Sequence, residues 1–244
     1  MLRTATLASV VTLLAVEASA QTTADSTSLK ALPSELAHDV GALPSGDAAK
    51  WAAIGTIATL AARPLDRPIT NGLNQAETKS VRHLFVPGKF IGETAVEMGG
   101  AVVTYVVGRA ADQAATEAAG LELLRAQLLT EGIVEGLKFT IRRERPDATN
   151  RRSFPSGHAA IAFATATVLQ RRFGWAPAAP AYMVAGYVAM SRLAMDRHYL
   201  TDVVAGVFVG TIVARTVTRA VAEPSTRVAA MQRRGFALVW SIAL

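Results

Sequence analysis

Residues 153–172 read SFPSGHAAIAFATATVLQRR. Alanine is the strongest helix former, Ser153 or Ser156 can cap a helix start, and proline is preset for a first turn, so the stretch predicts a helix over 155–172. Its opening, Pro155-Ser156-Gly157-His158, does more than start a helix. Free backbone N–H groups at such a start attract an anion. Gly157 lets an oxygen come close to the backbone, Ser156 can donate a hydroxyl proton, and His158 stands beside them. The plainer alternative is an ordinary capped helix carrying a surface histidine.

Outward from this stretch the chain keeps the same character. It has 244 residues, enough for one domain and short for two; 51% are hydrophobic and only 6% aromatic, with a mean hydropathy of +0.29. Alanine, valine and leucine supply most of the apolar mass, which favours helices over strands. Further helices are expected at about 47–62, 92–112, 116–143, 178–193 and 199–220, separated by Pro, Gly or charge clusters such as Arg63-Pro64-Leu65-Asp66-Arg67-Pro68. About six helices in one domain make an all-α bundle over 47–222. Residues 21–46, rich in Thr, Ser, Asp, Pro and Gly, read as a polar lead-in with one helical turn around Ser34 to Val40 that builds no core. A tail over 223–244 ends in apolar Phe236–Leu244, a short strand or a terminal helix.

Residues 1–20 carry Arg3, an apolar run from Ala5 to Val16 and then Ala18-Ser19-Ala20, the pattern of a secretory signal peptide cleaved after Ala20. An uncleaved anchor is the alternative, although the run is shorter than the ~20 residues a span needs. The expected compartment is therefore the outer side of a cytoplasmic membrane, a bacterial periplasm. There is no cysteine, which excludes a disulfide framework and a cysteine-ligated metal. Residues 153–170 and 173–191 are long enough to cross a bilayer and free of Lys, Arg, Asp and Glu, whereas the segments around 92–112 and 116–143 are charged and 203–214 offers only twelve uncharged residues. Membrane association is the expectation. The formal charge of +6 and a pI near 10.1 suit nucleic acid, anionic lipid or a small anion, and the motifs favour the last two.

Two more segments join the first. In Lys138-x6-Arg145-Pro146, seven helical residues advance about 700°, placing both cations on nearly one face about 10 Å apart, with Arg142 one turn beyond Lys138. Pro146 disfavours helical geometry before it, so the helix is expected to end at Arg145. Arginine grips phosphate oxygens in a plane and lysine adds a point charge. Alternatively Lys138 pairs with Glu135 or Glu131, while Arg142, Arg143, Arg145, Arg151 and Arg152 form a solvated basic loop. In Ser191-Arg192-x5-His198-x3-Asp202, His198 and Asp202 are one helical turn apart, so the carboxylate can hold one ring nitrogen and leave the other as a nucleophile. A break near Asp196-Arg197 would let Arg192 converge on His198. A His and Asp so spaced can also bind a metal, but the neighbouring cations would repel it. His38 and His83 read as ordinary surface or packing residues.

The three segments together resemble the signature of the type 2 phosphatidic acid phosphatase superfamily, which also includes bacterial non-specific acid phosphatases and vanadium haloperoxidases. Every signature position is matched over residues 138–202. The resemblance implies an all-helical, metal-independent phosphatase without a cofactor, acting on a phosphorylated substrate, most naturally a lipid phosphate or pyrophosphate, and not on nucleic acid. It implies that His198 attacks phosphorus to form a phosphohistidine, that Asp202 orients it, and that His158 protonates the leaving group and then activates water. Lys138, Arg145, Arg192, Ser156 and the amide of Gly157 would hold the phosphate oxygens. Soluble phosphomonoesters, vanadate-dependent halide oxidation and non-catalytic binding of anionic lipid are the competing outcomes.

Overall fold

The computed structural model describes residues 28–76 and 79–219, which contain nine α-helices and no strand. These are α1 (Leu32–Ala42), α2 (Gly46–Ala62), α3 (Asp66–Ala76), α4 (Lys79–Ile91), α5 (Thr94–Ala110), α6 (Ala114–Ile141), α7 (Gly157–Phe173), α8 (Trp175–Ala194) and α9 (Leu200–Val217). The six expected helices are all present as α2 and α5–α9, and α1, α3 and α4 are additional. The expected signal peptide, and Phe236–Leu244 of the tail, lie outside the described residues.

The added helices share a cause. Proline is tolerated in the first turn of a helix, where its missing N–H has no partner to lose. Pro33 stands at the start of α1 and Pro68 in the first turn of α3, so the Pro-rich clusters begin helices there instead of only separating them. α1 corrects the polar lead-in. Its Asp39 is 2% exposed and bound by Arg125 of α6, and Leu43 just beyond it packs on the apolar core.

The core is built from small residues. Ala101 of α5, Ala126 of α6, Ala164 and Val168 of α7, and Val213 and Ala214 of α9 form one cluster; Ala159 with Leu193 of α8 and Val203 forms another nearer the helix starts. Small side chains let helix axes approach closely. At Gly206 and Gly210 of α9 a Cβ would collide with the carbonyl oxygens of Ser156 and Ala160, so α9 lies directly on α7. The pairs Asp202–Ser156 at one end and Thr218–Arg171 at the other show the two helices running parallel. α6 runs against them, with Lys138 beside Gly157 and Glu122 bound to Arg172. The end of α6, the end of α8 and the starts of α7 and α9 therefore meet at one end of the bundle.

Apolar side chains also face outward: Ile54, Ile57 and Leu60 on α2, Val102, Val103, Val106 and Val107 on α5, and Met183 and Val184 on α8. Among the described residues one helix, α9, is long and apolar enough to cross a membrane, and 56% of it is buried inside the bundle. His83–Ile91 with Thr94–Ala110 passes the same test as a pair bent by 53°. The stretches 153–170 and 173–191 do not.

Candidate active site

α6 ends earlier than Pro146 suggests. The last helical residue is Ile141, and Arg142 turns the chain with a left-handed φ of 51°. Lys138 thus belongs to the final helical turn, while Arg145 comes from the following loop, not from the same helix face. Lys138 is nearly buried and pairs with Glu135 at 2.9 Å, as the plainer reading of that lysine expects; Glu135 also binds Arg152. Its Nζ nevertheless faces the start of α7, where a Cβ on Gly157 would lie 3.2 Å away. Any larger residue at 157 would occupy the space in front of the ammonium group.

α7 begins at Gly157, with Ser156 as its N-cap and Pro155 outside the helix. The Ser156 hydroxyl makes no capping bond and is buried without a protein partner, as are Nε of Arg145 and Nε and Nη1 of Arg192. Arg192 lies in the last turn of α8 and is only 5% exposed. Asp196, with φ 54°, then reverses the chain so that the amides of Arg197 and His198 both donate to the Arg192 carbonyl. This is the expected break, and it brings Arg192 to His198. Buried donors without acceptors are costly in a folded protein, so their convergence marks a place built for an anion.

The electrostatics agree. Burial, then Arg145 and Arg197, pushes the Arg192 pKa down to about 10, and burial lowers Lys138, helped by Arg145 and Arg192 against the opposing pull of Glu131. Cations that depress one another share one space without enough negative charge in it. His198 is held well below its usual 6.5, first by burial and then by Arg192 and Arg145, so its ring is neutral at neutral pH. His158 is pushed down to about 4, by burial first and Arg192 second. Its Nε2 lies 3.2 Å from the Lys89 carbonyl of α4; a carbonyl only accepts, so that nitrogen carries the proton.

The orientation of His198 differs from the spacing argument. Its Nδ1 sits 2.6 Å from the carbonyl oxygen of Ser153, and Asp202 Oδ2 is 3.9 Å away. Asp202 is occupied otherwise: Oδ2 accepts from the Ser153 hydroxyl at 2.5 Å and the Tyr199 amide at 2.9 Å, and Oδ1 from Arg143 at 2.6 Å. Ser153 therefore stands between carboxylate and imidazole. Burial pushes the Asp202 carboxyl up, against the donors of Ser153 and Arg143. Arg143, which the alternative reading put in a solvated basic loop, links Asp202 at 2.6 Å to Asp66 of α3 at 2.7 Å. Only its place two residues before Arg145 hints at this. Asp66 had no signal at all, being 77 positions from its partner. His38 and His83 are exposed, as expected.

Residues 119–225 match the family model of the PAP2 superfamily. Over 90 residues the chain is 41% identical to a lipid A 1-phosphatase of Porphyromonas gingivalis, covering 35% of this chain and 20% of that protein. It is 32% identical over 96 residues to a lipid A 4'-phosphatase of Helicobacter pylori, covering 35% and 48%. The chain thus spans about a fifth and about half of the lengths of these relatives. Two crystal structures share the fold: Aquifex aeolicus LpxE, with a TM-score of 0.53 at 21% identity over 64% of this chain and 95% of that one; and a transmembrane PAP2-type phosphatidylglycerolphosphate phosphatase from Bacillus subtilis, with 0.59 at 19% over 69% and 92%.

Proposed function

We propose, on the premise that residues 119–225 are a PAP2-superfamily segment, that the chain is a phosphatase of lipid phosphates or pyrophosphates working through a phosphohistidine. The observation that carries this is the set of buried, unpartnered donors of Arg192, Arg145 and Ser156 gathered around a neutral histidine. His198 donates Nδ1–H to the Ser153 carbonyl, which leaves the Nε2 lone pair to attack phosphorus. As the P–N bond forms and the P–O bond to the leaving group breaks, Arg192, Arg145, Lys138, the Ser156 hydroxyl and the Gly157 amide take up the charge on the three equatorial oxygens. His158 gives a proton to the departing oxygen. It then takes one from water, whose oxygen attacks phosphorus, breaks the P–N bond and releases inorganic phosphate.

The lipid part of the reading draws on two observations. Both curated relatives are named as lipid A phosphatases, and the outer faces of α2, α5 and α8 carry exposed aliphatic side chains that suit a membrane. The signal-peptide pattern of residues 1–20 supports a site on the periplasmic side. His158, His198 and Asp202 argue against a non-catalytic binder of anionic lipid, which needs cations only.

The test is phosphate release from a panel of phosphatidic acid, phosphatidylglycerol phosphate, a polyprenyl pyrophosphate, lipid A and para-nitrophenyl phosphate, with fractionation between membrane and soluble pools. Hydrolysis of the lipids ahead of the soluble ester is the expected result. His198→Ala should show no turnover, and His158→Ala should accumulate acid-labile phosphoenzyme. Near-normal rates in His198→Ala would refute the phosphohistidine route.

A further inference from the structure

We propose that Asp66, a carboxylate outside the three motifs and outside the matched segment, is a positioning residue of this centre. Through Arg143 and Thr201 it fixes Asp202, and through Asp202 it fixes the Ser153 carbonyl that holds His198. The inference rests on the reading of His198 as nucleophile.

The geometry is a continuous chain of bonds. Asp66 is 5% exposed at the first residue of α3 and accepts three hydrogen bonds: from the Thr201 amide at 2.9 Å, the Thr201 hydroxyl at 2.8 Å and Arg143 Nη2 at 2.7 Å. Arg143 is a fork. Its other arm, Nη1, reaches Asp202 Oδ1 at 2.6 Å and the Thr201 hydroxyl at 2.5 Å, and the guanidinium lies 4.2 Å from the centre of the Tyr199 ring. The backbone carbonyl of Arg143 also accepts from the Ser153 amide at 3.0 Å. Ser153 is thereby held three ways: by its amide to Arg143, by its hydroxyl to Asp202, and by its carbonyl to His198.

A planar guanidinium divided between two carboxylates can take only one orientation. Burial opposes the Arg143 charge, and the hydrogen bonds and charges of Asp66 and Asp202 outweigh it and raise its pKa. Without the Asp66 charge, nothing pulls Nη2 away, and both arms are free to close on Asp202. The Asp202 carboxylate then rotates, its Oδ2 loses line with the Ser153 hydroxyl, and the peptide that orients the imidazole shifts with it. The Ser156 hydroxyl and the unpartnered nitrogens of Arg192 and Arg145 make no bond within this chain, and the Ser156 amide is held by the Asp202 backbone carbonyl, which a rotation of the carboxylate leaves in place, so the phosphate-binding donors stay where they are. The effect should therefore fall on the reaction step and spare substrate binding.

The test uses the full chain with para-nitrophenyl phosphate and micellar phosphatidic acid as probes. Asp66→Asn keeps the shape and an acceptor for the Thr201 amide; kcat should fall about 10- to 100-fold with KM within about twofold, since small misplacements of a reacting group cost this much. Arg143→Lys, which keeps the charge and loses the fork, should show the same split. The double variant should lose little more than either single one, because both act along one path. Thermal melting of each variant accompanies the kinetics. Wild-type kcat in Asp66→Asn, KM rising in step with the kcat loss, or fully additive losses in the double variant would each overturn the positioning role. Should Asp66→Asn not fold, Arg143→Lys decides by the same criteria. His198→Ala, run alongside, separates the two readings: turnover there sinks the nucleophile assignment, whereas an inactive His198→Ala beside a fully active Asp66→Asn sinks only this proposal.

Discussion

The two ends of the helical bundle treat buried charge in opposite ways. At the end away from the site, Arg125, with 11% of its side chain exposed, is bracketed by Asp39 at 2.8 Å and Glu35 at 3.0 Å and also donates to the Val217 carbonyl. Beside it Arg172 holds Glu122, and Arg171 donates to the Thr218 hydroxyl. At the other end Arg192 is buried as deeply, and two of its three nitrogens have no partner in the protein. The carboxylates nearby are engaged by other cations: Asp202 and Asp66 by Arg143, and Glu135 by Lys138 and Arg152. The first end is arranged for stability. The second leaves an electrostatic deficit, which under the proposed function a phosphate dianion would fill.

The sharpest way to break this contrast is to remove one arginine from each end. Arg192→Met should lower kcat/KM by about 10²- to 10³-fold, the scale of losing an oxyanion donor, and leave the melting temperature unchanged or higher. Arg125→Met leaves the Asp39 carboxylate buried without its cation, and should cost about 3 kcal/mol of stability while the folded fraction keeps its kcat/KM. Kinetics and urea melts of the two variants read both quantities. A stability loss in Arg192→Met as large as that in Arg125→Met would erase the distinction between the ends.

A smaller effect follows from pH. His158, at about 4 instead of 6.5, is the doubly protonated imidazolium in roughly one free molecule in a thousand at pH 7, by one decade of population per pH unit. If it is the general acid, kcat/KM should rise as pH falls from 8 towards 5, approaching tenfold per unit. A profile flat across that range would remove His158 from the role. Stability should move the other way. Because the folded-state pKa values of His158 and His198 lie below the unfolded 6.5, the stability these groups contribute is present above about 6.5 and is lost as pH falls towards 4.

The smallest expected change comes from Glu135, the carboxylate that borrows Lys138 from the site. Glu135→Gln should lower KM and strengthen inhibition by inorganic phosphate about threefold, in keeping with the modest strength of a partly exposed ion pair. Unchanged phosphate inhibition would mean that Lys138 does not face the bound anion.

The residues that read correctly from the sequence are those whose meaning is local. Ser156-Gly157-His158 starts a helix because the alanine run behind it is written within a few positions, although the Ser156 hydroxyl makes no capping bond, and the reversal at Asp196-Arg197 follows from needing Arg192 and His198 on one side. The end of α6 did not read correctly, because Arg142 adopts a left-handed conformation that only glycine announces reliably, while Pro146 pointed to a later stop. α3 and α4 were hidden by prolines and charges that look like a linker in isolation and become helical when packed on α8. The Ser153 bridge was out of reach for another reason: it uses a backbone carbonyl, which every residue possesses.

The bonds from Asp66 to Thr201 close a loop of 135 positions. Contacts that join distant parts of a chain form late, since the entropy of bringing the ends together must be met before any bond rewards it. Helices α6 and α7, with their many local and neighbouring contacts, can assemble and even collect phosphate-binding donors before that loop closes. Turnover then becomes a marker of complete assembly. A refolding experiment that follows activity beside helix content should find the catalyst arriving after the helices, with the lag set by the closing of this loop.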